Sequence, residues 1–131
     1  MITEAQLERT RLYVRRWFAR FIPPSLHFHD LEHTLTVTRT AKALGRAMEL
    51  GPQELALLEL AALFHDTGYA VAYVGHEDHS AQLAANYLKK QGLSGMEIRR
   101  VRKLILATRL KAEPRGVLEE VLRDADSSKA G

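Results

Sequence analysis

Apolar residues recur at helical spacing along almost the whole chain. Thr3 and Gln6 form a capping-box pair, and the segment after them places Leu7, Leu12, Val14, Trp17, Phe18 and Phe21 mostly on one side of a helix. Pro23-Pro24 stops it, and a short polar linker covers 25–30. Asp30 is placed to cap a second helix, in which Leu35, Val37, Ala41, Leu44 and Met48 recur near the helical period. Gly51-Pro52 breaks the pattern, with the proline suited to a first helical turn. The third segment, 54–64, is apolar on nearly all sides, as expected of a helix at the centre of a domain. It ends in His65-Asp66. The stretch 67–77 holds Gly68 and Gly75 and reads as a loop; 69–74 fits a short strand, but a loop or helical turn fits better. Asp78 or Ser80 opens a fourth helix, which Gly92 closes. Ser94 and Glu97 make a second capping box, before a helix over about 95–108. Pro114 and Gly116 mark a turn. A final helix carries Val117, Leu118, Val121 and Leu122 into Asp124-Ala125-Asp126. The expectation is an all-α bundle of about six helices, with 1–131 as one domain and 1–25 as its N-terminal helix and Pro-Pro linker.

Composition narrows the chemistry. The 131 residues contain no cysteine, which excludes disulfides, thiolate metal sites and a cysteine nucleophile. Any metal must then be held by histidine and carboxylate. The net charge is +3, and Arg15-Arg16, Arg99-Arg100 and Arg102-Lys103 are spread along amphipathic segments. They read as solvated helix faces, so a nucleic-acid polymer is not the expected partner, although the pairs near Arg99 can help attract an anion. The chain has no run of about 18 apolar residues to span a membrane. Its first residues lack the cationic and then apolar pattern of a secretory signal. Both features point to the cytoplasm. The oligomeric state is not readable.

All six histidines lie between positions 27 and 79. His29 and His33 are four apart, so a helix begun near Asp30 brings them to one side. His65-Asp66 is more informative, because two polar residues close the segment that should be most buried. A bare carboxylate there is expensive to desolvate, and a divalent cation offsets that cost well. The plainer alternative is that Asp66 caps or ion-pairs and His65 is a satisfied core histidine; the other histidines weigh against it. Asp124 and Asp126 end an apolar helix where the macrodipole disfavours acid, so at least one should have another task.

Together these pieces resemble the HD-domain superfamily of metal-dependent phosphohydrolases. The match is His33, then His65-Asp66 thirty-two residues on, then Asp126 sixty residues beyond Asp66. The flanking residues are similar too: His29-Asp-Leu-Glu-His33-Thr, Ala62-Leu-Phe-His-Asp-Thr-Gly68, His76-Glu-Asp-His-Ser80 and Leu104-Ile-Leu-Ala-Thr108. The resemblance implies His33, His65, Asp66 and Asp126 as metal ligands, with Asp124 as the fallback for the last. Mn, Fe, Co, Ni, Zn or Mg would suit such a set. The implied activity is hydrolysis of a phosphomonoester or phosphodiester of a small molecule, a nucleotide by family habit alone. His29 lies where some phosphodiesterase relatives protonate the leaving oxygen; at this point it is equally a helix-start residue. His76 and Glu77 fall where relatives hold a second metal or the substrate, and either can orient the attacking water. His79 is as easily a helix-face residue, and His27 a linker residue.

Some features depart from known branches. Thr67-Gly68-Tyr69-Ala70 lacks the acidic pair of the stringent-response hydrolases, the glutamate of the small 5′-nucleotidases and the Gly-Tyr-Pro of the cyclic-di-nucleotide branch. Relatives usually continue past the last aspartate into a further helix, whereas here Ser127 to Gly131 ends the chain; the expectation is a fragment of something longer or a missing last helix. Two other readings therefore stand beside the hydrolase. One is a regulatory or sensory HD module that binds metal and nucleotide with little turnover. The other is a helical interaction domain without metal.

Overall fold

The structure, a computed structural model, describes residues 1–22, 30–109 and 113–128. Six α-helices follow in order: α1 (Glu4–Phe21), α2 (Leu31–Ala47), α3 (Pro52–Phe64), α4 (His76–Lys90), α5 (Gly95–Leu106) and α6 (Val117–Ser128). A single 3-10 turn, Thr67–Ala70, stands between α3 and α4, and no strand occurs among the described residues. The all-α expectation holds, and 69–74 contains the end of a helical turn rather than a strand.

The starts of three helices are written in side-chain caps. Thr3 accepts from the Gln6 backbone N–H, Asp30 from that of His33 and Ser94 from that of Glu97. Each such cap stabilises its helix by about 1 kcal/mol. Pro52 occupies the first turn of α3, where its missing N–H costs nothing.

α3 is the axle of the domain. Every residue from Ala56 to Phe64 is buried, and α3 touches each of the other five helices. One residue of that run is Glu59. Burial would push its pKa up, but Arg11 of α1 and Lys42 of α2 outweigh burial and hold it below the usual carboxylate range. Lys42 Nζ and Arg11 Nη2 each lie 3.0 Å from Glu59 Oε1. An unpaired carboxylate at this depth would cost several kcal/mol, so the triad ties α1 and α2 to the axle. α1 is also tied to the 3-10 turn, since the Trp17 indole donates to the Thr67 carbonyl at 3.0 Å.

Two expectations about helix faces need correction. On α1 the buried residues are Thr10, Val14 and Phe18, whereas Leu12 and Phe21 are exposed. Thr10 is accepted inside because its hydroxyl donates to the Gln6 carbonyl at 2.7 Å. On α2, Val37 and Ala41 are buried but Leu44 and Met48 reach solvent. The arginine pairs at 15–16 and 99–100, with Arg102 and Lys103, do lie on exposed faces.

Candidate metal centre

α3 gives way to the site at its last residues. His65 is still helical, but Asp66 has φ −108° and ψ 3°, between the main allowed regions. That break lets two successive side chains converge, which a continuous helix would forbid by setting them about 100° apart. Both residues are buried, as is His33, which faces them from the first turn of α2. His33, His65 and Asp66 each offer a donor atom within 4.8 Å of the others.

Asp126 joins them from α6. Its Oδ1 lies 3.1 Å from His33 Nε2 and 3.2 Å from His65 Nε2. Asp66 Oδ2 lies 3.3 and 3.4 Å from the same two nitrogens. Asp124 is exposed, so of the two candidates the structure brings Asp126 to the cluster. α6 does not stop at the aspartates; it runs on to Ser128, and helical phase turns one aspartate in and the other out.

The donor chemistry can be read from His65. Its Nδ1 lies 2.6 Å from the Ala62 carbonyl, which can only accept, so Nδ1 carries the proton. In the neutral ring Nε2 is then a bare lone pair, aimed at two carboxylate oxygens. That arrangement is repulsive unless a cation lies among them. A proton can serve as that cation: burial would lower the pKa of His65, but the Asp66 charge and the Asp126 hydrogen bond outweigh it and raise it to about 10. His33 is raised for the same reason, against the same opposing burial. Asp126 goes the other way; burial would raise it, but His33 and His65 hold it far below the usual carboxylate range. Two imidazole nitrogens and the Asp66 carboxylate lie close enough to share a divalent ion, and Asp126 stands against both nitrogens, so the residues fit the metal.

The second oxygen of Asp66 is also occupied. His76 Nε2 lies 3.1 Å from Oδ1, and His76 Nδ1 lies 3.5 Å from Glu77 Oε1. This pair arrives through a helix start that differs from the expected one. α4 begins at His76, not at Asp78 or Ser80, because Gly75 in the left-handed region (φ 75°) turns the chain into the helix without a side-chain cap. Ser80 is instead a buried brace. Its hydroxyl accepts from the Gly68 N–H and donates to the His65 carbonyl, both at 2.8 Å. His79 points to solvent. His29 and His27 lie outside the described residues.

One contact that the sequence did not flag is Tyr69, whose ring stacks on His76 at 3.7 Å and 16°. Beside the centre a cavity of about 560 Å³ opens, with Thr108, Arg123 and Ser127 lining it and Asp126 in its wall.

The family model of the HD domain matches residues 30–131. The chain belongs to the HD-domain family. Among solved structures it is similar to a predicted HD superfamily hydrolase from an uncultured Thermotogales bacterium, with 26% identity and a TM-score of 0.78 over 95% of this chain and 68% of that one. No curated protein matches it. Membership of this HD family places the chain among metal-dependent hydrolases, and its His-His-Asp cluster can hold a divalent ion. No described helix is long and apolar enough to cross a membrane.

Proposed function

We propose that this HD-domain chain is a cytoplasmic metal-dependent phosphohydrolase that cleaves a phosphomonoester or phosphodiester, with a nucleotide as the expected substrate. The observation that carries the reading is the convergence of His33, His65 and Asp66, with Asp126 against both imidazole nitrogens, a buried donor set suited to a divalent cation. His33, His65, Asp66 and Asp126 would hold the ion. When bound, a divalent ion supplies Lewis acidity toward a phosphoryl oxygen and lowers the pKa of water.

The protein's own groups do the rest. His76, at 3.1 Å from Asp66 Oδ1, fixes the plane of that carboxylate and leaves Oδ2 for the other side. We assign His76 and Glu77, whose side chains meet, to orienting the attacking water and holding its proton. His29 is assigned to protonating the leaving oxygen. The adjoining cavity is within the ordinary size of a small-molecule site; its wall carries Arg123 together with the carboxylates Glu120, Asp124 and Asp126, so an anionic ester there would depend on the bound ion to offset their charge.

Metal analysis of the purified protein beside His65→Ala and Asp66→Ala tests the centre. Both variants are expected to lose the ion, and unchanged content in both would sink the reading. A phosphatase screen over nucleotides with added Mn, Co, Ni and Mg tests turnover. Absence of metal-dependent hydrolysis on every ester would favour the regulatory module instead.

A further inference from the structure

The groove between α1 and α2 carries more positive charge than the fold requires. A cavity of about 400 Å³ opens there, lined by Arg11, Arg15, Arg39 and Lys42 but by only two carboxylates, Glu8 and Glu59. Both carboxylates are already engaged by Arg11. Its Nη2 lies 3.0 Å from Glu59 Oε1 and its Nε meets Oε2, a bidentate pairing that neutralises Glu59 by itself. Its Nη1 lies 3.1 Å from Glu8, with Glu4 further off at 3.4 Å. Lys42 is therefore a second cation on a carboxylate that needed one, with Nζ 3.0 Å from Glu59 Oε1. An ammonium has three donors, and Glu59 takes one of them. The Lys42 side chain is 24% exposed, so its other donors remain on the open side. Arg15 makes no ion pair among the described residues. Arg39 has Glu32 at 4.0 Å, with both side chains largely exposed, a pairing that costs little to release. Four cations against two carboxylates leave an excess of two positive charges, and it falls toward Lys42, Arg15 and Arg39.

The rest of the lining is apolar. Leu12, Leu35 and Leu63 stand in the same cavity, and Leu12 is one of the large apolar side chains that α1 leaves exposed. The cavity is also separate from the metal centre. Leu35 and Lys42 stand two and nine residues from His33, about 200° and 180° around α2 at 100° per residue, so they occupy the side of the helix away from the metal ligand.

We propose that this α1–α2 groove is a second ligand site, which takes a small organic phosphate: the phosphoryl group on Lys42, Arg15 and Arg39, and a short apolar body against Leu12, Leu35 and Leu63. Two guanidinium groups and an ammonium suit a dianionic oxyanion, because each guanidinium presents paired N–H donors. Glu59 holds Lys42 and Arg11 in place before the ligand arrives, so the buried triad serves the site as well as the fold. The volume is within the range of small-molecule sites.

The test uses phenyl phosphate and inorganic phosphate on the full chain in chelator, at about pH 7.5, where the phosphoryl group carries close to two negative charges. Backbone amide NMR follows the titration. Shifts are expected at Leu12, Arg15, Leu35 and Arg39, and phenyl phosphate is expected to bind at least about three-fold tighter than inorganic phosphate. Arg15 and Arg39 are exposed, so Arg15→Gln with Arg39→Gln should keep the wild-type melting temperature and weaken binding at least about ten-fold. Arg99→Gln with Arg100→Gln removes the same charge from the exposed face of α5 and should change affinity by less than about two-fold. An equal loss in both double variants would reduce the effect to net charge and overturn the site. A footprint centred on His65, Asp66 and Asp126, or no footprint, would overturn it too. Equal affinity for the two phosphates would overturn the part played by the leucines. The metal is absent throughout, so each outcome is independent of the hydrolase reading.

Discussion

Gly68 has no room for a side chain. A Cβ built on it would lie 1.9 Å from the His76 carbonyl oxygen and 2.8 Å from both the nitrogen and the hydroxyl of Ser80. The obstacle is backbone, so no rotamer change relieves it. To reach the 3.4 Å of ordinary contact, the start of α4 must retreat by about 1.5 Å. Overpacking of this kind costs about 1–3 kcal/mol. The retreat also breaks the 2.8 Å bond from Gly68 to Ser80, and a buried donor left unsatisfied costs about 1–3 kcal/mol more. Gly68→Ala should therefore destabilise the domain by about 3 kcal/mol, which lowers Tm by about 10 °C at this chain length. The same movement takes His76 away from Asp66. Loss of a group that orients a ligand typically lowers metal affinity about 10- to 100-fold. Thermal unfolding followed by circular dichroism in the presence of a chelator reads the first effect, and Mn titration well below Tm reads the second. A variant that melts within about 2 °C of wild type and binds Mn equally would refute the claim that the Gly68–Ser80–His76 contact holds the site in place.

Two further predictions concern charge. The raised His65 pKa, about 10 against an ordinary 6.5, means that its proton stabilises the metal-free fold fully below about pH 6.5, and that this stability is lost as pH rises toward 10. Tm in chelator should fall from pH 7 to pH 10, the fall should be smaller with Mn bound, and Mn binding at pH 7 should release protons in calorimetry across buffers; a flat Tm in chelator would contradict the His65 shift. Asp126→Asn should lower Mn affinity at least about ten-fold, whereas Asp124→Asn, on the exposed side of α6, should leave it within about two-fold; the reverse order in a titration would return Asp124 to the site.

Much of this architecture was legible in the sequence because it is local. Caps at Thr3, Asp30 and Ser94 rest on side chains a few residues from the N–H groups they satisfy, and the apolar run of α3 can be buried only by surrounding it. The start of α4 was not legible because its cap is conformational. Gly75 supplies a left-handed residue and no side chain, while Ser80, which resembles a cap, is used by Gly68 and His65. The true face of α1 was hidden for a similar reason: Thr10 satisfies its own hydroxyl inside the helix and so costs little to bury. Glu59 was invisible as a partner because Arg11 and Lys42 lie 48 and 17 residues away. Asp126 could be preferred over Asp124 from the resemblance alone, but the physical reason is helical phase. Two residues apart on a helix means about 200° around it, so only one of the pair can face His33 and His65.

The site also depends on the fold as a whole. His33 belongs to α2, His65 and Asp66 to the end of α3, His76 to α4 and Asp126 to α6, so no local segment carries more than two of its groups. Each carboxylate is stabilised by a group from another helix, and each would be costly alone. Desolvating Asp66 without partners would consume much of the roughly 5–15 kcal/mol that keeps a domain folded. The chain answers this by surrounding Asp66 on both sides, with His33 and His65 at Oδ2 and His76 at Oδ1. A proton on His65 can strike that balance, and a divalent ion competes for the same place. The ion therefore gains affinity from every feature that makes the proton-bound cluster costly to bury. A purely structural histidine–aspartate pair would need one contact, whereas Asp66 has three histidines around it. That excess of donors over what burial alone requires is the physical reason to read the cluster as a metal centre rather than as a satisfied core.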